Sequence, residues 1–101
     1  MADDTTPDLL FLYELEELLK NRKSDLPKGS YSAELFNKGI DKIAQKLGEE
    51  AVELIIASKN TRENETVYET ADLIYHLLVL LVEKEISVDK VMGELKNRMK
   101  S

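Results

Sequence analysis

The sequence predicts an all-α fold, a bundle of four to five helices completed by dimerisation, and three observations carry that expectation. Apolar residues recur at helical spacing through most of the chain, as in Ile40, Ile43, Ala44, Leu47, Ala51 and Leu54. No stretch alternates apolar and polar residues as a half-buried strand does. Helix-breaking residues are few, two prolines and four glycines in 101 residues. A chain of this length forms one domain (residues 1–101), small enough that part of its stability comes from association.

Taken in order, residues 1–6 fray, and Thr6-Pro7-Asp8 starts the first helix. Thr6 is its N-cap, Pro7 stands at the first helical position, and Asp8 lies near the positive end of the dipole. This helix runs to about Lys23. Leu9, Phe11, Leu12, Leu15, Leu18 and Leu19 form its apolar face, and Glu14, Glu16, Glu17 and Lys20 its solvated side. Residues 24–30, with Pro27 and Gly29, form a loop. A short helix follows over Tyr31–Lys38, capped by Ser30 or Ser32 and stopped by Gly39.

The next helix spans Ile40 to about Lys59. Gly48 sits inside it at a cost of about 1 kcal/mol relative to alanine, which close approach by a neighbour or a ligand would explain. At 100° per residue, Glu50 and Glu53 fall at one edge of the apolar stripe, Glu49 lies beside Glu53, and Val52 and Ile56 occupy the opposite face. Two apolar sides with a carboxylate edge between them suit a helix at a subunit interface. After a polar linker at 60–64, a helix from about Glu65 to Lys84 is apolar almost all round between Leu73 and Val82, as a central helix is. Its polar stripe is Glu65, Glu69, Asp72, His76 and Glu83. Ser87 caps a last helix over about Val88–Met99, with Val88, Val91, Met92 and Leu95 facing the core.

Composition narrows the function classes. The absence of cysteine excludes disulfides and thiol chemistry, and a net charge of −6 disfavours nucleic acid as a partner. The N-terminus has no basic region of a signal peptide, and the run from Leu73 to Val82 is too short to span a membrane. The expectation is a cytoplasmic protein.

The carboxylates carry the chemistry. Glu50 and Glu53 on one helix can face Glu69 and Asp72 on an antiparallel neighbour, an oxygen-only donor set suited to Mg²⁺ shared with a polyphosphate. Glu49 or Glu53 is the candidate general base. Acidic pairs at helical spacing alone usually mark solvated faces. Asp72 is more informative, because a carboxylate at the start of an apolar run needs a partner or a metal. His76, one turn later, is a hydrogen-bond partner, a ligand or a satisfied core histidine. A di-iron bundle wants Glu-x-x-His pairs, which one histidine four residues from Asp72 does not supply.

Ser30-Tyr31-Ser32-Ala33, Leu35-Phe36-x-x-Gly39, Lys46-x-Gly48-Glu49-Glu50-Ala51-x-Glu53 and Ala71-Asp72-Leu73-x-Tyr75-His76-Leu77-Leu78-Val79-Leu80 resemble the phosphoribosyl-ATP pyrophosphatase family, within the MazG-like all-α nucleotide pyrophosphohydrolases. The likeness covers about residues 9–98. Ser32 stands where threonine is usual, and the first eight residues match nothing. The resemblance implies Mg²⁺-dependent hydrolysis of phosphoribosyl-ATP to phosphoribosyl-AMP and pyrophosphate by a homodimer. Glu49, Glu50, Glu53, Glu69 and Asp72 match the superfamily's acidic pattern. Lys46, then Lys42, are the candidates to hold substrate phosphates, with Arg22, Lys28, Lys38 and Ser30 reaching in from helix ends and the loop. The rival readings are a general nucleoside-triphosphate pyrophosphohydrolase and a non-catalytic helical dimerisation module.

Overall fold

Several helix boundaries in the computed structural model, which describes residues 2–100 and the side chains of 8–100, have a local cause. Five helices follow one another: α1 (Ala2–Asp25), α2 (Tyr31–Lys38), α3 (Ile40–Ala57), α4 (Glu63–Glu83) and α5 (Val88–Arg98). Ser30 caps α2 by accepting from the Ala33 N–H at 3.2 Å, and Ser87 caps α5 by accepting from the Lys90 N–H at 3.3 Å. Gly39 joins α2 to α3 with φ 95°, a backbone state open to glycine, and its N–H closes α2 on the Leu35 carbonyl at 3.0 Å. Glu85 takes a left-handed φ of 59° to end α4. Its N–H bonds the Val82 carbonyl and the Ile86 N–H bonds that of Leu81, the paired arrangement that satisfies a helix C-terminus.

α3 and α4 form the central pair, an antiparallel hairpin closed at its tip where the Thr66 hydroxyl donates to the Ala57 carbonyl. α1 and α2 pack across its inner side. Leu19 from α1, Leu35 and Phe36 from α2, Ile43 from α3, Leu78, Val79 and Val82 from α4, and Val88 from α5 build one apolar core. Burying side chains of this kind stabilises by about 1.5–3 kcal/mol each. Among the described residues there is no strand, and no helix is long and apolar enough to cross a membrane.

Several expectations are corrected. α1 starts at Ala2, so Thr6 is not its cap. Pro7 lies in the second turn, where its missing N–H forfeits a single backbone bond. The expected fraying falls in part on Met1, outside the described residues. Leu9, Phe11 and Leu18 are exposed: Leu9 and Phe11 precede Leu12, the first α1 side chain against the core, and Leu18 points about 100° away from the buried Leu19. Ile74 and Leu77 on α4, and Leu95 on α5, are also open to solvent, so α4 is central without being enclosed. A Cβ on Gly48 would meet nothing within 4 Å, so no neighbour within the described chain demands that glycine.

The largest correction is Glu16. Expected on the solvated side of α1, it is 8% exposed, and its Oε2 accepts from the Val88 N–H at 2.9 Å. That N–H belongs to the first residue of α5, which has no partner within its own helix. Tyr13, one turn earlier, donates to Asp89 Oδ1 at 3.0 Å, so α1 holds the start of α5 at two points. Glu16→Ala should therefore lower the unfolding free energy by about 1–3 kcal/mol in urea titration, while Glu16→Gln, which keeps an acceptor, should cost less than about 1 kcal/mol. A loss from alanine no greater than that of an ordinary surface change, about 0.5 kcal/mol, would refute the capping role.

Candidate active site

The α3–α4 hairpin brings carboxylates from both helices to one place. Residues three or four apart on a helix share a face, so Glu50 on α3 meets Glu69 and Asp72 on α4. Ligand oxygens of these three residues lie within 4.8 Å of one another. Glu50 is 6% exposed, and Glu69 and Asp72 are half-buried. One oxygen each of Glu50 and Glu69 is fully buried with no hydrogen-bond partner among the described residues. A buried polar atom without a partner is costly, and three like charges this close repel.

Electrostatics follow from that crowding. Burial first, then the charges of Glu53 and Asp72, push the Glu50 carboxyl above its ordinary value of 4.5. Glu69 is raised by burial, by Glu53, Asp72 and Glu50, and by a hydrogen bond shared with Glu53. Glu53 itself is exposed, at the mouth of the cluster. It also borders an open cleft of about 600 Å³ that runs to the hairpin tip past Tyr68, Asn60 and Asn64.

The other expected residues divide. Glu49 turns away: Gln45 Nε2 donates to it at 2.9 Å and Lys46 Nζ at 3.2 Å, and these bonds hold its carboxyl below the usual range. Lys46 also reaches Glu50 at 3.8 Å, which sets an ammonium beside the cluster. Lys42 lies one turn earlier, half-buried. Arg22 and Ser30 are brought together, Nη1 donating to Oγ at 2.9 Å, and Ser30 Oγ also lies 3.1 Å from Ser32 Oγ. His76 is a buried histidine with both ring nitrogens partnered, at 2.7 Å to the Asp72 carbonyl and 2.9 Å to the Tyr31 hydroxyl. The contact from Tyr31 was not foreseen. Its only sequence signal is its place directly after the Ser30 cap, which turns the first residue of α2 toward α4.

Fold and site together define an all-α protein whose central hairpin carries a crowded, partly buried trio of carboxylates. The family model of phosphoribosyl-ATP pyrophosphohydrolase matches residues 12–99, and the chain belongs to that family. It is 56% identical over 88 residues to the phosphoribosyl-ATP pyrophosphatase of Leptospira biflexa, covering 87% of this chain and 96% of that protein. The phosphoribosyl-ATP pyrophosphatase of Lactiplantibacillus plantarum is 55% identical over 85 residues, 84% of this chain and 80% of its own. Similarity also extends to the histidine biosynthesis bifunctional protein HisIE of Caldanaerobacter subterraneus, 51% identical over 98 residues. That match takes in 97% of this chain and 48% of the longer protein.

The raised carboxyls set the sign of a pH effect. The fold favours the neutral form of Glu50, so its contribution is present below the ordinary value of 4.5 and is lost as pH rises through the raised one. With chelator at pH 7, Glu50→Gln should have a higher urea midpoint than the wild type, and the gap should close on acidification. An equal or lower midpoint for the variant at pH 7 would count against a strained cluster.

Proposed function

We propose that the protein hydrolyses phosphoribosyl-ATP to phosphoribosyl-AMP and pyrophosphate, the second step of histidine biosynthesis, with Mg²⁺ as its cofactor. The observation that carries this reading is the carboxylate trio with two buried, unpartnered oxygens, in a chain of this family. The donor set fits a hard divalent cation: oxygen ligands only, from two rigid helices, with charge in excess of what Lys46 can balance. Glu50, Glu69 and Asp72 would hold the ion, with Glu53 at its open side. When bound, such a cation neutralises phosphate charge and makes water more acidic.

The chain's own groups supply the rest. Glu53 is exposed at the rim and is the general base that takes the proton from attacking water. Glu49 suits that role less, because two hydrogen bonds to its carboxylate weaken its basicity. Lys46, with Lys42 behind it, offers positive charge to the phosphates, whereas Arg22 and Ser30 are bonded to one another. The cleft beyond Glu53 and Glu69, lined by Tyr68, Asn60 and Asn64, gives the nucleoside an aromatic face and carboxamides.

The second part of the proposal is a homodimer. Val52, Ile55 and Ile56 of α3 and Val67 and Ile74 of α4 are exposed on the central hairpin. The radius of gyration, 15.1 Å, exceeds the roughly 13 Å of a self-contained domain of this length. Burial of this surface against a second copy completes the bundle.

With Mg²⁺, pyrophosphate release from phosphoribosyl-ATP should far exceed release from the common nucleoside triphosphates, and chelation should abolish it. Glu53→Gln should lower turnover by about 10²–10⁴-fold, the contribution of a general base. Similar rates on all substrates would point to a general pyrophosphohydrolase, and metal-independent or absent release would sink the enzymatic reading. For the dimer, sedimentation should give twice the 11.5 kDa chain mass for the wild type and a shift toward monomer for Ile55→Glu. A wild-type monomer at high concentration overturns it.

A further inference from the structure

The two hydrogen bonds of His76 fix which atoms carry protons. A main-chain carbonyl can only accept, so Nδ1, 2.7 Å from the Asp72 oxygen, bears the hydrogen. In the neutral ring Nε2 is then the acceptor, and the Tyr31 hydroxyl at 2.9 Å is the donor. The result is a directed chain from the first residue of α2 to the backbone of Asp72 on α4.

Both ends of that chain are anchored. Tyr31 follows Ser30, which caps α2 and is gripped by Arg22 from α1. His76 is 5% exposed, and its ring is wedged edge-on between Tyr31 and Tyr75, at centroid distances of 5.7 and 5.4 Å. Asp72, whose carbonyl receives the far end, contributes a carboxylate to the trio. We infer that Tyr31 is a positioning residue, which acts through His76 to hold Asp72 at the angle that the cation-binding carboxylates require.

A ligand held this way loses little freedom when a cation binds. Partners that hydrogen-bond a ligating group directly typically contribute about 10–100-fold to metal affinity; here the bond meets the main-chain carbonyl of the ligand residue, so the lower end of that range applies. Tyr31 lies close enough to Glu50, Asp72 and Lys46 to feel their charge, so its hydroxyl also borders the site. Tyr75 offers an internal control. Its ring stacks on Tyr31 at 6.2 Å, but its hydroxyl makes no hydrogen bond among the described residues.

This inference rests on reading the trio as the cation site, and the test separates the two. Mn²⁺ binding to the full chain without substrate is measured by titration calorimetry and by electron paramagnetic resonance. The variants are Tyr31→Phe, His76→Asn, the double variant and Tyr75→Phe, each confirmed folded by circular dichroism. Tyr31→Phe should bind Mn²⁺ about tenfold more weakly. His76→Asn keeps a donor toward the Asp72 carbonyl but loses the link to Tyr31, and should weaken binding similarly. The double variant should be no weaker than the weaker single one, because both break the same strap, and Tyr75→Phe should match the wild type. Unchanged affinity in Tyr31→Phe, an equal loss in Tyr75→Phe, or additive losses in the double variant overturn the positioning role. Wild-type protein that takes up no Mn²⁺ overturns the cation site itself.

Discussion

The mutual repulsion of Glu50, Glu69 and Asp72 is the constraint to which the rest of the structure answers. Carboxylates within 4.8 Å of one another, partly out of water, push their helices apart unless something else holds them together. The apolar contacts on the inner side of α3 and α4 do so. Ile43, Leu78 and Val79 are all but fully buried, and α1 and α2 complete that core. The hairpin thus has a cohesive side and a repulsive side. A short connection at 58–62, closed by bonds to the Ala57 carbonyl from Asn60 and Thr66, keeps the two in register.

The same constraint accounts for the positions of the charged neighbours. Lys46 stands one turn before Glu50 and relieves it in part, but it is shared with Glu49, which binds it more closely. Glu49 therefore acts on the cluster from outside, as the group that fixes the ammonium. One Glu-Glu pair in the sequence divides into a buried member facing α4 and an exposed member facing back along α3. Adjacent helical residues point about 100° apart, so such a division is the ordinary consequence of the spacing.

Legibility from sequence follows the range of the interactions. The caps at Ser30, Gly39 and Ser87 depend on residues a few positions apart, and all three sit where the sequence places them. The pairing of Glu50 with Glu69 and Asp72 was legible for a related reason: a short linker forces the two helices antiparallel, and helical spacing does the rest. Glu16 was not legible. Its partner is the Val88 N–H, 72 residues away, and on a helical wheel a glutamate bound to a distant helix end resembles one in water. Leu9, Phe11 and Leu18 misled in the opposite direction. Periodicity shows that a helix has an apolar face, and carries no information on how far that face overlaps its neighbour.

Tyr31 and His76 extend that lesson to the site. Each could be read alone, Tyr31 as an exposed aromatic and His76 as a satisfied buried histidine, and in terms of burial they are just that. The directed pair becomes visible only when the carbonyl partner of Nδ1 is known, because that bond decides the tautomer and with it the direction of the bond to Tyr31. A helix already satisfies the Asp72 carbonyl through the amide four residues on, so the second donor from the His76 ring is not needed for the backbone's sake. That bond satisfies the buried Nδ1–H of the ring and ties the ring to the backbone of Asp72. The carboxylate of Asp72 belongs to the crowded trio, and the strap meets the backbone that carries it.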